Sequence, residues 1–257
     1  MNSSWGARDS PFDFSTIINS CYIQMIEIPT NMRPKSVVLL SGGLDSSTVL
    51  AYSVATGYET YALSVNYGQR HNVELECAKK VAVAGGAADH KIVSVDLALF
   101  GGSALTDDIA VPQPEDINAI GNEIPVTYVP ARNSILLSLS LGYAETIGAE
   151  TIFVGVNYLD YSGYPDCRPQ FLEAFETMAN LATKTAVEGT MHFEIKAPLL
   201  RLSKADIIQV GTDLGVDYSI TSSCYSPKED GKSCGLCDAC LLRARGFEQA
   251  GIPDPAL

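Results

Sequence analysis

Four aliphatic residues, Val37-Val38-Leu39-Leu40, run directly into Ser41-Gly42-Gly43-Leu44-Asp45-Ser46-Ser47-Thr48, and this junction constrains the whole chain. The aliphatic run has the length and branching of a buried parallel strand. Two glycines then turn the chain. Asp45, Ser46 and Ser47 are placed to cap a helix expected from about Thr48 to Ala55. A strand that feeds a glycine turn and then a helix N-terminus aims free amides and a positive dipole end at one point, which suits an anion. Glycine lets the backbone close on that anion without a Cβ in the way. The hydroxyls of Ser41, Ser46 and Ser47 add donors, and Asp45 either holds a magnesium ion or braces the loop.

A Gly-Gly turn alone is common punctuation, but the full string is far more restrictive. S-G-G-L-D-S-S-T behind V-V-L-L resembles the pyrophosphate loop of the N-type ATP pyrophosphatases, which split ATP into AMP and pyrophosphate. Competing nucleotide signatures are absent from the sequence: there is no G-x-x-x-x-G-K-[ST] and no G-x-G-x-x-G behind a strand. Gly231-Lys232-Ser233 has Ser226 where the earlier glycine would stand.

The 257 residues suit one α/β domain, or one with a small appendage. No apolar run approaches the roughly 18 residues needed to cross a bilayer, and no basic-then-apolar leader is visible at the N-terminus. A cytoplasmic protein with no membrane partner is expected. Thirty acids against 17 bases give a formal net charge of −13. Such a field repels a nucleic-acid backbone, so a small metabolite is favoured over RNA as substrate.

Residues 1–33 lack a clean period and are expected to form a poorly ordered extension. From Lys35 onward strands and helices alternate. Strands are expected at Glu59 to Asn66, His90 to Val95, Thr151 to Val154 and His192 to Ile195. Helices are expected at Asn72 to Ala84 (apolar Val73, Ala78, Val81 and Val83), Asn133 to Ile147, Gln170 to Val187, and from Ser203 on. This alternation predicts a Rossmann-like α/β fold over residues 34–222, with a parallel sheet covered by helices on both faces. Ligands of such sheets bind at strand carboxyl ends where the order reverses. Two long loops, Asp96 to Pro130 and Gly155 to Pro169, are candidates for binding loops.

Residues 223–250 carry Cys224, Cys234, Cys237 and Cys240, at spacings that suit tetrahedral Zn2+. With four sulfurs the ion would have no open position and would be structural. A [4Fe–4S] cluster uses similar spacing and is the rival, although no other cluster suggests electron transfer. A helix through Leu242 and Phe247 should close this element. Cys21 and Cys77 read as structural, whereas Cys167 lies in a candidate site loop and is open to either a structural or a reactive role. His90 and His192 read as structural, and His71 fits either role.

Asp160-Tyr161-Ser162-Gly163-Tyr164-Pro165-Asp166-Cys167-Arg168-Pro169 gathers phenols, carboxylates, a thiol and a guanidinium in one loop. Phenols stack on planar heterocycles, carboxylates accept from guanine-like N–H groups, and arginine grips carboxylates. Taken with G-G-S-A-L-T (Gly101 to Thr106), V-P-A-R-N (Val129 to Asn133), G-V-N-Y-L-D (Gly155 to Asp160) and the four cysteines, this stretch resembles the 7-cyano-7-deazaguanine synthases, from about Lys35 to Phe247. The resemblance implies conversion of 7-carboxy-7-deazaguanine and ammonia to a nitrile at the expense of two ATP, through an adenylated acid and then an adenylated amide. It implies ATP with Mg2+ on Leu40, Ser41, Gly42, Gly43, Leu44, Asp45, Ser46, Ser47, Thr48, Val49 and Leu50. Ser41, Asp45, Ser46, Arg132 and Lys204 would serve catalysis, the last two by reaching the phosphates. Tyr161, Tyr164, Asp166 and Arg168 would hold the substrate. A homodimer is the further implication.

Overall fold

The computed structural model describes residues 32–69, 71–114, 123–157 and 164–256. The expected N-terminal extension, save its last two residues, and Tyr161 lie outside the described residues. Five strands, β1 (Lys35–Leu39), β2 (Glu59–Asn66), β3 (Asp89–Ser94), β4 (Thr151–Phe153) and β5 (Glu194–Lys196), make one parallel sheet in the order β3-β2-β1-β4-β5. The helices are α1 (Leu44–Ala55), α2 (Val73–Ala84), α3 (Arg132–Ile147), α4 (Pro169–Ala182), α5 (Lys184–Val187), α6 (Lys204–Asp213) and α7 (Asp238–Ala250). None of the described helices is long and apolar enough to cross a membrane.

Strand alternation splits the core into two layers. Register pairs Val38 with Ala62 and Phe153, and these three face α1, α2, α6 and α7. Val37 pairs with Ile152 and faces α3 and α4 with Leu63. Both faces are covered, which is why the strands carry apolar residues on either side. Phe153 is fully buried, with the rings of Tyr52 and Tyr58 edge-on to it at 6.2 and 5.3 Å. Its truncation to alanine would cost about 3–5 kcal/mol. Where β1, α1 and β2 meet, three buried hydroxyls satisfy one another, with Ser53 Oγ 2.8 Å from both Ser36 Oγ and Thr60 Oγ1.

Several boundaries differ from those expected. α1 begins at Leu44, four residues early, so Asp45, Ser46 and Ser47 lie inside the first turn and do not cap it. Ser47 Oγ instead donates back to the Gly43 carbonyl at 2.7 Å. On α2 the buried stripe is Leu75, Ala78, Val81 and Ala82, and Val83 faces solvent. The helix expected from Gln170 to Val187 is two helices, broken at Thr183, whose backbone is extended and whose hydroxyl donates to the Ala179 carbonyl. β5 starts two residues late; the His192 amide is taken by the Glu150 carboxylate.

The long segment after β3 folds back over the sheet, and Leu97, Leu105 and Val129 pack on Val65 and Tyr67 at the carboxyl end of β2. The C-terminal element shares the main core through Phe247. It is locked by Arg243, which donates to both Asp254 oxygens (2.7 and 2.8 Å), to Thr221 Oγ1 and to the Tyr218 carbonyl. Both ions of this pair are buried, and every contact is hydrogen-bonded, the condition under which such a pair is tolerated.

Candidate functional site

The chain steps from β1 to β2 to β3, then returns to place β4 on the other flank of β1. Ligands of open α/β sheets bind outside such a reversal, and here a cleft of about 250 Å³ opens there. Its near end is the glycine turn. Gly42 has φ +83°, and a Cβ on it would collide with the Glu74 carbonyl and the Ala78 amide. Gly155, just past β4, comes so close that a Cβ would lie 3.1 Å from the Ser46 amide nitrogen. Serines organise the turn: Ser41 Oγ lies 3.0 Å from Ser46 Oγ and accepts from the Gly43 amide. The Ser222 amide donates to the Gly42 carbonyl at 3.0 Å.

Lys204 reaches this loop from the first residue of α6. A reciprocal capping box between Ser203 and Asp206 fixes where that helix starts. The buried ammonium donates to both Asp45 oxygens, at 2.8 and 2.9 Å. Through this pair Asp45 braces the loop, one of its two expected roles. Asn157 secures the approach by donating to the Leu199 and Leu202 carbonyls, which ties the exit of β4 to the turn before α6.

Arg132 lies in the same cleft at the far end. It follows Ala131, the one non-glycine residue with positive φ (55°) among the described residues, a strained conformation of the kind that collects at working sites. Its guanidinium lies over the Tyr67 ring, 5.6 Å from the centroid. Burial works against the Arg132 charge, but Tyr67, Tyr164, Tyr225 and Cys167 around it hold its pKa above the ordinary range. Burial pushes Tyr67 up to about 12, and it raises Tyr164 as well. The Glu74 carboxyl is pushed up to about 7 by burial, partly countered by Arg132.

Of the expected substrate residues, Tyr164 is buried in the cleft wall, its hydroxyl 2.8 Å from Thr127 Oγ1. Asp166 also lines the cleft, but one of its oxygens accepts from the Asn133 amide at the start of α3. Arg168 is exposed at the N-cap of α4 and does not line the cleft. Cys167 is buried and accepts from Asn133 Nδ2, and burial pushes its thiol up to about 12, which favours the neutral thiol over the thiolate. Sequence reasoning overlooked Tyr67, Glu74, Tyr225 and Asn157. Tyr67 follows directly on β2, and position at a strand's carboxyl end was the signal that could have found it. Glu74 reads as an ordinary acid in a helix's first turn.

The four cysteines converge, their sulfurs all within 4.8 Å of one another and Cys234 Sγ 3.9 Å from Cys240 Sγ. Tetrahedral zinc with bonds of about 2.3 Å would set its sulfurs a little under 4 Å apart, so the set fits one zinc ion. Sulfurs aimed at a single point do not fit the separate corners of an iron–sulfur cluster. Backbone amides of Cys234, Leu236 and Cys237 donate to Cys224 or Cys234 sulfur, as thiolate ligands invite. The knot holds Tyr225 and Ala239 in the cleft wall.

A parallel sheet with a pyrophosphate-type glycine loop at its switch point defines a Rossmann-like nucleotide-binding protein of the PP-loop kind. The chain matches the family described as "QueC: Queuosine biosynthesis protein QueC" over residues 35–251, and it belongs to that family. The 7-cyano-7-deazaguanine synthase of Paramagnetospirillum magneticum is 61% identical over 88% of this chain and 98% of its own. That of Geobacter sulfurreducens is 60% identical over 87% of this chain and 93% of its own. Among solved structures, NMN synthetase from Francisella tularensis is similar at 16% identity and a TM-score of 0.48, over 93% of this chain and 85% of that one. That likeness is too slight to add to the topology.

Proposed function

We propose that this protein is an ATP-dependent ligase that converts 7-carboxy-7-deazaguanine and ammonia to 7-cyano-7-deazaguanine, releasing AMP and pyrophosphate. The observation that carries the reading is convergence. The glycine loop, Arg132 and Asn133 of V-P-A-R-N, G-V-N, and Tyr164, Asp166 and Cys167 line one cleft, although Asp45 and its partner Lys204 are 159 residues apart.

Amides and hydroxyls from Ser41 to Ser47 take the β- and γ-phosphates, and Lys204 balances the charge that builds as pyrophosphate leaves. The substrate carboxylate attacks the α-phosphorus, which gives the acyl adenylate. Ammonia then displaces AMP to leave the amide. A second ATP adenylates the amide oxygen as one proton leaves the nitrogen, and departure of AMP with the second N–H proton leaves the nitrile. Positioning and electrostatics carry these steps, and no protein nucleophile is required. Tyr67, Tyr164 and Arg132 cradle the planar base, with Asp166 at its edge. The zinc ion supplies no chemistry and fixes the wall that carries Tyr225. The family resemblance extends the reading to Mg2+ arriving with ATP, to a homodimer and to a cytoplasmic location.

Incubation with ATP, Mg2+, ammonium chloride and 7-carboxy-7-deazaguanine, followed by mass spectrometry, tests this directly. The expected products are the nitrile, AMP and pyrophosphate. Formation of ADP, or of no nitrile, refutes the reading.

A further inference from the structure

Beside the main cleft lies a second cavity of about 20 Å³, room for one molecule the size of water. Gln69, His71 and Val73 contribute to its wall, and Tyr67, Glu74 and Tyr225 line both cavities. Glu74, Tyr67 and Tyr225 therefore stand at the junction of the small pocket and the main cleft, with the Arg132 guanidinium over the Tyr67 ring. The Glu74 carboxylate makes no hydrogen bond and no close ion pair among the described residues, although Arg132 acts on it through space. Its main chain abuts Gly42, so it stands next to the glycine loop.

A carboxylate beside a pocket of this size attracts a small cation, and the net charge of −13 draws cations toward the protein. Near neutral pH dissolved ammonia, like other amines, is almost wholly protonated. Only the free base carries the lone pair that attacks carbon.

We propose that this junction is an ammonium subsite, where Glu74, at the boundary of the two cavities, holds the ion and takes one of its protons. The inference rests on the nitrile-forming reading above. The N–H bond breaks, the proton passes to the Glu74 carboxylate, and neutral ammonia keeps the electron pair. That pair forms the C–N bond to the acyl carbon. The bond from the acyl carbon to the AMP oxygen breaks with its electrons on AMP, and the nitrogen's surplus proton leaves to water. Glu74 then returns its proton to solvent.

The titratable and charged groups around Glu74 are Tyr67 beyond β2, Arg132 on α3, Cys224 and Tyr225 from the cysteine element and His71 ahead of α2, with Cys77 on its own helix. Burial has already moved its carboxyl to about 7, where uptake and release of a proton are both easy.

Steady-state kinetics on the full chain, with ammonium chloride varied at saturating ATP and acid, provide the test. Glu74→Gln should lower kcat/KM for ammonium about 100-fold at neutral pH. KM for ATP should stay within about two-fold, and the deficit should shrink as rising pH supplies free ammonia. Val73→Phe, which fills the small cavity, should also impair ammonium use. An unchanged kcat/KM for ammonium in Glu74→Gln overturns the subsite. So does a deficit confined to KM for the deazapurine acid, which would make Glu74 a purine contact. If the wild-type chain forms no nitrile from ammonia under any condition, the parent reading falls, and the subsite with it.

Discussion

The two ends of the cleft are built on opposite plans. At the glycine-loop end, proposed for the nucleotide, the cleft offers main-chain amides and short hydroxyls, fixed by glycines such as Gly42 whose Cβ position is already occupied by neighbouring backbone. The charged pair there, Lys204 with Asp45, is fully satisfied. At the far end, proposed for the acceptor, the lining is long side chains, Tyr67, Glu74, Arg132, Tyr164 and Tyr225, drawn from segments far apart in sequence and crowded enough to displace one another's pKa values. A phosphate tail is common to many enzymes and needs only a nest of N–H groups. A particular purine acid needs a shaped wall, and side chains supply shape.

That contrast predicts where damage falls. The largest effect should come from Gly42→Ala. The φ of +83° alone costs about 1–3 kcal/mol, and the collision with the Glu74 carbonyl adds to it. AMP formation should vanish and the melting temperature should drop; a variant with near-normal turnover would break the comparison. Lys204→Met should follow, lowering kcat/KM for ATP about 100-fold, because it strands Asp45 beside an incoming polyanion. Pyrophosphate exchange measures it. Arg132→Lys keeps the charge but loses the flat stack on Tyr67. It should raise KM for the deazapurine about ten-fold, with KM for ATP nearly unmoved. An equal rise in both would show that the two ends are not separate.

The smallest effect is on stability. Glu74 has a folded pKa of about 7, above its ordinary value, so between those two values the native state holds more protons than the unfolded chain. Stability then falls as pH rises through that window. Urea melts from about pH 5 to pH 8 should show Glu74→Gln gaining on the wild type as pH increases. A gap independent of pH would place the Glu74 carboxyl at its ordinary value.

Legibility followed the same division. β2 was expected at Glu59 to Asn66 and is found there, because alternation and a glycine boundary are local signals. The glycine loop and the cysteine spacing are local too, and the structure gathers the four sulfurs about one point. The start of α1 was misjudged because Asp45 looks like a cap until Lys204 arrives from another helix. Asp166 resembles a free carboxylate in its loop, yet it is engaged by the Asn133 amide. Tyr225 gave no signal, because only the cysteine knot around it carries it to the cleft. Charge and residue type read equally well for Arg168 and Arg132, but only Arg132 lines the cleft. Tertiary placement, which no window of sequence contains, made the difference.

The bond between Arg243 and Asp254 reaches further than its place near the end of the chain suggests. Arg243 also grips Thr221, and the next residue's amide holds the carbonyl of Gly42. The tail thus latches, through two relays, the loop that greets the nucleotide. Removing the Asp254 carboxylate would therefore loosen the grip of Arg243 on Thr221 and, one residue on, the anchor of the Gly42 carbonyl, so a change remote from the cleft would register in the geometry of its glycine turn.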